Sequence, residues 1–415
     1  MILLSHPTAN QNVRQTAVAL AEAGLLEEFW TCVNWKRDGL LDRATAWSGR
    51  LQEELRRRSF PTVLAPYIRT VPWREWGRQA AGQLGWKSLT GHEHAPLSVD
   101  AVYRSLDRRV AKRISAGLTS KAVYAYDDGA LATFRAARER GIKCLYEHPI
   151  AYWRTVQQLQ REEAELQPEW APTLGALGDS EAKLARKDEE LSLADVVVTA
   201  SSFAKESLAL APTLKASVRV IPYGTQPLDV SSPEREPGGK LRVLFVGALT
   251  QAKGLSYLLQ AVARLESEID FTLVGRQVSR EVPSSALLAK YHWIPTLSHP
   301  ELLREMSQHD VLALPSLHEG FGLVMTEAMA QGLVVITTPH TAGPDLIEDG
   351  VDGFIVPIRS ADAIEERLAL LRGEPDRLKA MQEAARRRAL ACTWEEYRRR
   401  LVHLAREVVD LPVSS

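Results

Sequence analysis

The chain has 415 residues, 45% of them hydrophobic and 25% charged, an ordinary soluble composition and too long for one compact core. The formal net charge of −1 gives no reason to expect a nucleic-acid partner. No run approaches the ~20 apolar residues of a membrane-spanning helix.

From the start, short apolar runs alternate with longer amphipathic ones. A strand is expected over 2–4, followed by a loop carrying His6, Thr8 and Asn10, then a helix over 13–23 closed by Gly24. Further strands are expected over 122–125, 143–146, 196–199 and 219–221, with helices such as 130–140 between them. This is the βαβ rhythm of a parallel sheet covered by helices. The segment 65–91 interrupts it, setting Trp73, Trp76 and Trp86 among Arg69, Arg74, Arg78 and Lys87. It reads either as a face for an acceptor or lipid headgroups, or as an insertion whose tryptophans pack onto the first domain.

Residues 226–240 are rich in Pro, Gly, Ser and charge and lack periodicity, which marks a linker. The rhythm then restarts. Strands are expected over 242–246, 271–274, 311–314 and 334–337, and helices over 256–265, 301–307 and 323–331. An amphipathic helix over 395–410 closes the chain, with Leu401, Leu404 and Val408 on one face. The expected division is a first domain over 1–225 and a second over 241–394, both doubly wound α/β. Ligands on such sheets bind beyond the carboxyl ends of the strands.

The charge is uneven. Residues 1–228 hold 30 Lys+Arg against 26 Asp+Glu, and 56–143 alone hold 17 against 7. That stretch suits an anionic partner or is a solvated helical surface. Cys32, Cys144 and Cys392 are odd in number and lack metal spacing, so a reducing cytoplasm is expected. The opening MILLSHPT is too short an apolar run for a signal peptide, and any membrane contact is expected to be peripheral, on the inner face.

Two segments carry chemistry. The first is PSLHEGFGLVMTEAMAQG, residues 315–332. A strand leads into a glycine-bearing loop and then a helix, a geometry that offers free backbone N–H groups to an anion. Gly320 and Gly322 allow close backbone approach. Glu319 precedes the turn and Glu327 lies one turn into the helix, and a carboxylate accepts two charge-assisted bonds from sugar hydroxyls. The second is VLFVGALTQAKG, residues 243–254, where a strand runs into Gly247 and Lys253 stands beside a helix start.

The first segment resembles, across its whole frame, the signature of the large family 4 of retaining glycosyltransferases with the GT-B fold. That resemblance implies two Rossmann-like domains facing across a cleft, with the final helix crossing back to the first. It implies that Glu327 binds the donor ribose, that Glu319 sits by the donor sugar, and that the amides at Phe321, Gly322 and Leu323 hold the diphosphate. The second segment is similar to the family pattern G-R-L-x-x-x-K-G. Lys253 matches it, but Ala248 stands where the arginine belongs, so Arg276 in LVGR is a candidate replacement. Trp293 and Ile294 fall where similar proteins flank the base, and His148 where they often contact the donor. His6, Asn10 and Asp127 would line the acceptor side. A UDP-sugar donor and a glycan or lipid-linked acceptor are implied, with no cofactor, and no Asp-x-Asp is placed to hold a metal. Polysaccharide or glycoconjugate synthesis is the implied setting. An epimerase or phosphorylase on the same fold, or a catalytically silent nucleotide-sugar-binding protein, stays open.

Overall fold

A computed structural model describes residues 1–37, 39, 42–43, 49–226, 239–279, 281–283 and 285–410. The first sheet contains β1 (Ile2–Ser5), β2 (Leu26–Thr31), β3 (Ile68–Thr70), β4 (Ala122–Tyr126), β5 (Lys143–His148), β6 (Val196–Thr199) and β7 (Ser217–Val220). Its order is β3-β2-β1-β4-β5-β6-β7. The second contains β8 (Leu241–Val246), β9 (Ile269–Val274), β10 (His292–Ile294), β11 (Val311–Leu314), β12 (Val334–Thr337) and β13 (Gly353–Ile355), in the order β10-β9-β8-β11-β12-β13. Every neighbouring pair is parallel. The cause is legible in runs such as AVYAY, VVVT, VLAL and VVIT, buried along their whole length. Strands apolar on both sides need helices on both faces, and parallel crossovers supply them. In each sheet the winding reverses once, between β1 and β4 and between β8 and β11, and ligands bind at such switch points.

The sequence reading missed β2 and β3. In β2 (LEEFWT), Glu27 and Glu28 break the apolar run. The fold satisfies both: Trp30 Nε1 donates to Glu28 at 2.7 Å, Arg113 donates to Glu28 at 3.0 Å, and the Thr119 and Ser120 hydroxyls donate to Glu27. Segment 65–91 takes a share of both readings. Trp76 packs edge-on to Trp35 at 6.2 Å, whereas Trp73 is 81% exposed and Trp86 54%. Of the expected linker, residues 227–238 lie outside the described residues.

The closing helix, Trp394–Asp410, packs on Gln11–Glu22 of the first domain. The hydroxyls of Tyr397 and Thr16 lie 2.8 Å apart, and Arg398 donates to Gln15 at 3.0 Å. Beneath this junction, buried Glu147 accepts from the hydroxyls of Tyr124 and, at 2.6 Å, Tyr223. Burial pushes the Glu147 carboxyl above its ordinary value.

The two domains also meet at a buried carboxylate. Glu163, on the first domain's helix Trp153–Leu166, is fully buried. It accepts from Gln251 Nε2 at 2.7 Å, Tyr257 OH at 2.9 Å and Arg359 Nε at 2.8 Å, all from the second domain. Losing this acceptor strands three donors. Glu163→Ala should therefore lower stability by about 2–4 kcal/mol, read as a shifted denaturant midpoint.

Candidate active site

The loop after β11 and the helix Leu323–Gln331 form the centre of the site. Gly322 caps this helix at φ +83°, a left-handed conformation that costs glycine little, so the chain turns sharply and the first helical amides stay free of internal partners. Gly320 lies against the first domain: a Cβ there would sit 1.9 Å from the Pro149 carbonyl oxygen. The Ser201 hydroxyl donates to the Gly320 carbonyl at 2.6 Å. The first domain thus seats the loop from behind.

The carboxyl ends of the neighbouring strands close in from the other side. Gly275 follows β9, and a Cβ on it would meet the Gly247 carbonyl oxygen at 1.7 Å. Gly254, at φ +68°, leaves no room for a Cβ beside Pro315, so the helix Leu255–Arg264 starts directly against the loop. Lys253 is thereby carried over Gly247, and its ammonium pairs with the Glu319 carboxylate. Both are partly exposed, at 24% and 21% of their side-chain surfaces. A cation and an anion thus share the mouth of an amide-bearing turn. That arrangement can neutralise a bound phosphate and accept from a hydroxyl.

The structure gathers Glu319, Lys253, Gly247, Gly320, Gly322 and Leu323 around this turn, with Glu327 one helical turn on. Phe321 is not a wall of the site. It is 3% exposed and packs edge-on to Tyr223 at 5.3 Å, holding the turn on the tyrosine cluster beneath. Trp293 is half buried and donates from Nε1 to the Gly275 carbonyl at 2.9 Å, at the sheet edge beside Ile294. Arg276 is exposed just beyond Gly275, and Ala248 follows Gly247 on the neighbouring strand end.

The first-domain residues stand differently. His148 is 4% exposed, lies directly behind the 149–150 turn, and burial pushes it down to about 4. Neither ring nitrogen has a partner in the protein. With Asp127, Tyr146 and Lys187 it lines a cavity of about 10 Å³, roughly one water position. Asp127 accepts from Lys187 Nζ at 2.7 Å and Tyr146 OH at 2.5 Å. Burial alone would raise its carboxyl, but Lys187 and His148 outweigh it and hold it well below its ordinary value. His148 and Asp127 are therefore interior groups, correcting the expectation that they face the donor and acceptor. His6 is also buried, bonded to Thr8 at 3.0 Å and lying 4.6 Å from the Tyr126 ring, and burial lowers it to about 4. Asn10 alone of the expected acceptor-side residues is exposed, at the start of the helix Gln11–Glu22.

Two site histidines escaped the sequence reading. His299 Nε2 meets Glu327 Oε1 at 2.8 Å. His318 is bonded to Gln160 of the first domain at 2.9 Å, and burial lowers it to about 4. The only available signal was S-H-P-E at a helix start, a capping box that gives no hint of a partner 28 residues on. The bond to Glu327 raises His299 above its ordinary value of 6.5. A raised histidine contributes stability in full below its unfolded value and loses it as pH rises through the folded one. The melting-temperature gap between wild type and His299→Ala should therefore be present near about pH 6 and vanish by about pH 9.

With this geometry described, likeness to known proteins can be stated. Residues 229–388 match the family model described as "Glycosyl transferases group 1". An MMP alpha-(1->4)-mannosyltransferase of Mycolicibacterium hassiacum is 31% identical over 176 residues, 40% of this chain and 43% of the relative. The chain spans less than half the length of the curated relatives it matches, 36%, 43% and 37% for three of them. Among solved structures, sucrose-phosphate synthase from Thermosynechococcus elongatus superposes with a TM-score of 0.66 at 18% identity, covering 98% of both chains. HepE of Anabaena in complex with UDP gives 0.60 at 15%, covering 98% of this chain and 99% of that one. At these identities the likeness shows the fold, which is GT-B: two Rossmann-like domains across a cleft.

Proposed function

We propose that this chain, whose second domain carries the group 1 glycosyl transferase pattern on a GT-B fold, is a glycosyltransferase. It moves a hexosyl group from a nucleoside diphosphate sugar to an acceptor hydroxyl, with retained anomeric configuration and without a metal. The observation that carries this reading is the Lys253–Glu319 pair at the mouth of the Gly322–Leu323 turn.

The diphosphate sits on the amides that open the helix Leu323–Gln331, where the helix dipole favours negative charge. Glu327 takes the ribose hydroxyls, exchanging them for His299. As the bond between the anomeric carbon and the phosphate oxygen breaks, its electron pair goes to the diphosphate, and Lys253 stabilises the charge that develops there. A new bond forms between the acceptor oxygen and the anomeric carbon on the same face. The acceptor proton passes to the departing phosphate oxygen. Glu319 orients the ammonium and accepts from the sugar. Closure at Glu163 and Gly320 limits hydrolysis by excluding water.

UDP is the proposed base, in keeping with the UDP complex of HepE, and glycan or glycoconjugate synthesis in the cytoplasm is the proposed setting. Exposed Trp73 and Trp86, beside Arg69, Arg74 and Lys87, give a face for peripheral contact with an anionic inner membrane surface.

The test is calorimetry with UDP, GDP and ADP, followed by product analysis with EDTA present. UDP should bind wild type, and Glu327→Ala should weaken it about 10–100-fold through two lost charge-assisted bonds. A product of inverted configuration, or dependence on added metal, would overturn the mechanism. Binding of all three nucleotides equally, or of none, would overturn the donor assignment.

A further inference from the structure

Beyond the turn at Gly322, a second cavity of about 390 Å³ opens on the first domain. It lies at the carboxyl ends of β1 and β2, where the loop ending at Asn10 meets the segment around Arg57 and the helix Trp73–Gln83. Its lining includes Arg14, Arg57, Arg58 and Arg78, and a single carboxylate, Glu75. Arg58 donates to Glu75 at 2.9 Å, and Arg78 makes two bonds to it at 2.8 Å. One carboxylate is thus shared by two guanidinium groups and leaves the lining positive.

Arg14 is the most constrained of the four. Its Nη2 donates to the Arg57 carbonyl, while its buried Nε has no partner. Burial and the charge of Arg37 both disfavour its charged form, a cost that an anion would relieve.

The cavity faces the active site. The charge of Arg57 reaches Glu301, which opens the second-domain helix His299–Met306. That helix also supplies His299 to Glu327. An occupant of the cavity would therefore lie across the gap from the donor's ribose carboxylate. The volume suits a sugar-sized ligand, and paired guanidinium forks match phosphate geometry.

We propose that this cavity holds the phosphate of the acceptor, so that the second substrate is a phosphate-bearing hydroxyl compound. The proposal rests on the transferase reading above and adds the acceptor's chemical class to it. The phosphate gives orientation, and the free hydroxyl points toward Glu319. A soluble sugar phosphate and a phospholipid headgroup share this chemistry. Trp73, exposed on the same helix as Glu75 and Arg78, would adjoin the bilayer in the second case.

The test uses the full chain. Calorimetry compares glucose with glucose 6-phosphate and with inorganic phosphate. Sedimentation compares phosphatidylcholine vesicles with and without phosphatidic acid. The expected result is a phosphate preference of at least about tenfold in one arm, from one or two charge-assisted bonds. A sugar-phosphate preference identifies a soluble acceptor, and a vesicle preference a lipid one. R57Q and the double variant R14Q/R57Q should lose that preference while UDP affinity and melting temperature stay within about twofold and a few degrees. If R14Q/R57Q misfolds, R57Q alone decides. No preference in either arm, or one that survives in R57Q, overturns the proposal. Failure of the unmodified chain to bind UDP overturns the transferase reading separately, since the phosphate comparison is also made without nucleotide.

Discussion

Lys253→Ala should lower the transfer rate by about 10²–10³-fold while leaving UDP affinity within about tenfold and the melting temperature nearly unchanged. The ammonium is a quarter exposed and its charge partner is Glu319. Stability therefore depends little on it, since exposed ion pairs contribute small amounts. Its effect falls on the step in which negative charge builds on the leaving diphosphate, because the lysine acts most strongly there. Ala248 makes the dependence steeper: with no arginine at that position, Lys253 has less help on this strand end. Single-turnover rates in wild type and Lys253→Ala measure the effect directly. Lys253→Arg should restore part of the loss, since charge returns with altered reach. A variant that turned over at the wild-type rate would remove this lysine from the chemistry.

Gly320→Ala should cost about 100-fold in turnover and, in solution scattering, open the molecule. The added methyl would meet the Pro149 carbonyl oxygen at 1.9 Å and the Ile150 Cα at 2.8 Å. These are backbone atoms of the other domain, so no side-chain rotation relieves the contact. Either the loop moves off the first domain or the domains part. In both cases the Ser201–Gly320 bond goes and the turn shifts relative to Lys253. Displacements near 1 Å are enough for losses of this size. Gly322→Ala provides the contrast. There the nearest atom is the flexible end of Met325 at 3.1 Å, and the penalty is the left-handed φ of +83°, about 1 kcal/mol of local strain. A normal radius of gyration and normal activity in Gly320→Ala would show that the domain contact has no part in catalysis.

These two experiments separate what is local from what is not. The strand–turn–helix of 311–331 is stabilised within a few residues of itself: β11 by its apolar run, the turn by Gly322, the helix end by Gly332 at φ +83°. Its carboxylates stand at helical spacing. Periodicity and glycine placement are sufficient to read such a unit, and the observed bounds Leu323–Gln331 coincide with the expected ones. The parallel sheets were legible for the same reason, since continuous apolar runs need cover on both faces. Where glutamates entered the run, as in β2, the signal failed, because their partners Arg113, Thr119 and Ser120 are supplied by distant chain.

By itself the sequence determined two α/β sheets and the identity of the groups on one turn, because those follow from the order of neighbouring residues. Tertiary structure alone decided what each group faces. Lys253 finds Glu319 across 66 residues, Glu163 finds Arg359 across 196, and Arg14 reaches the backbone of Arg57 across 43. It also withdrew His148 and Asp127 from the cleft, since a strand end can point into a core as readily as out of it. Charge and burial depend on distances in space, and a residue's place along the chain does not encode them.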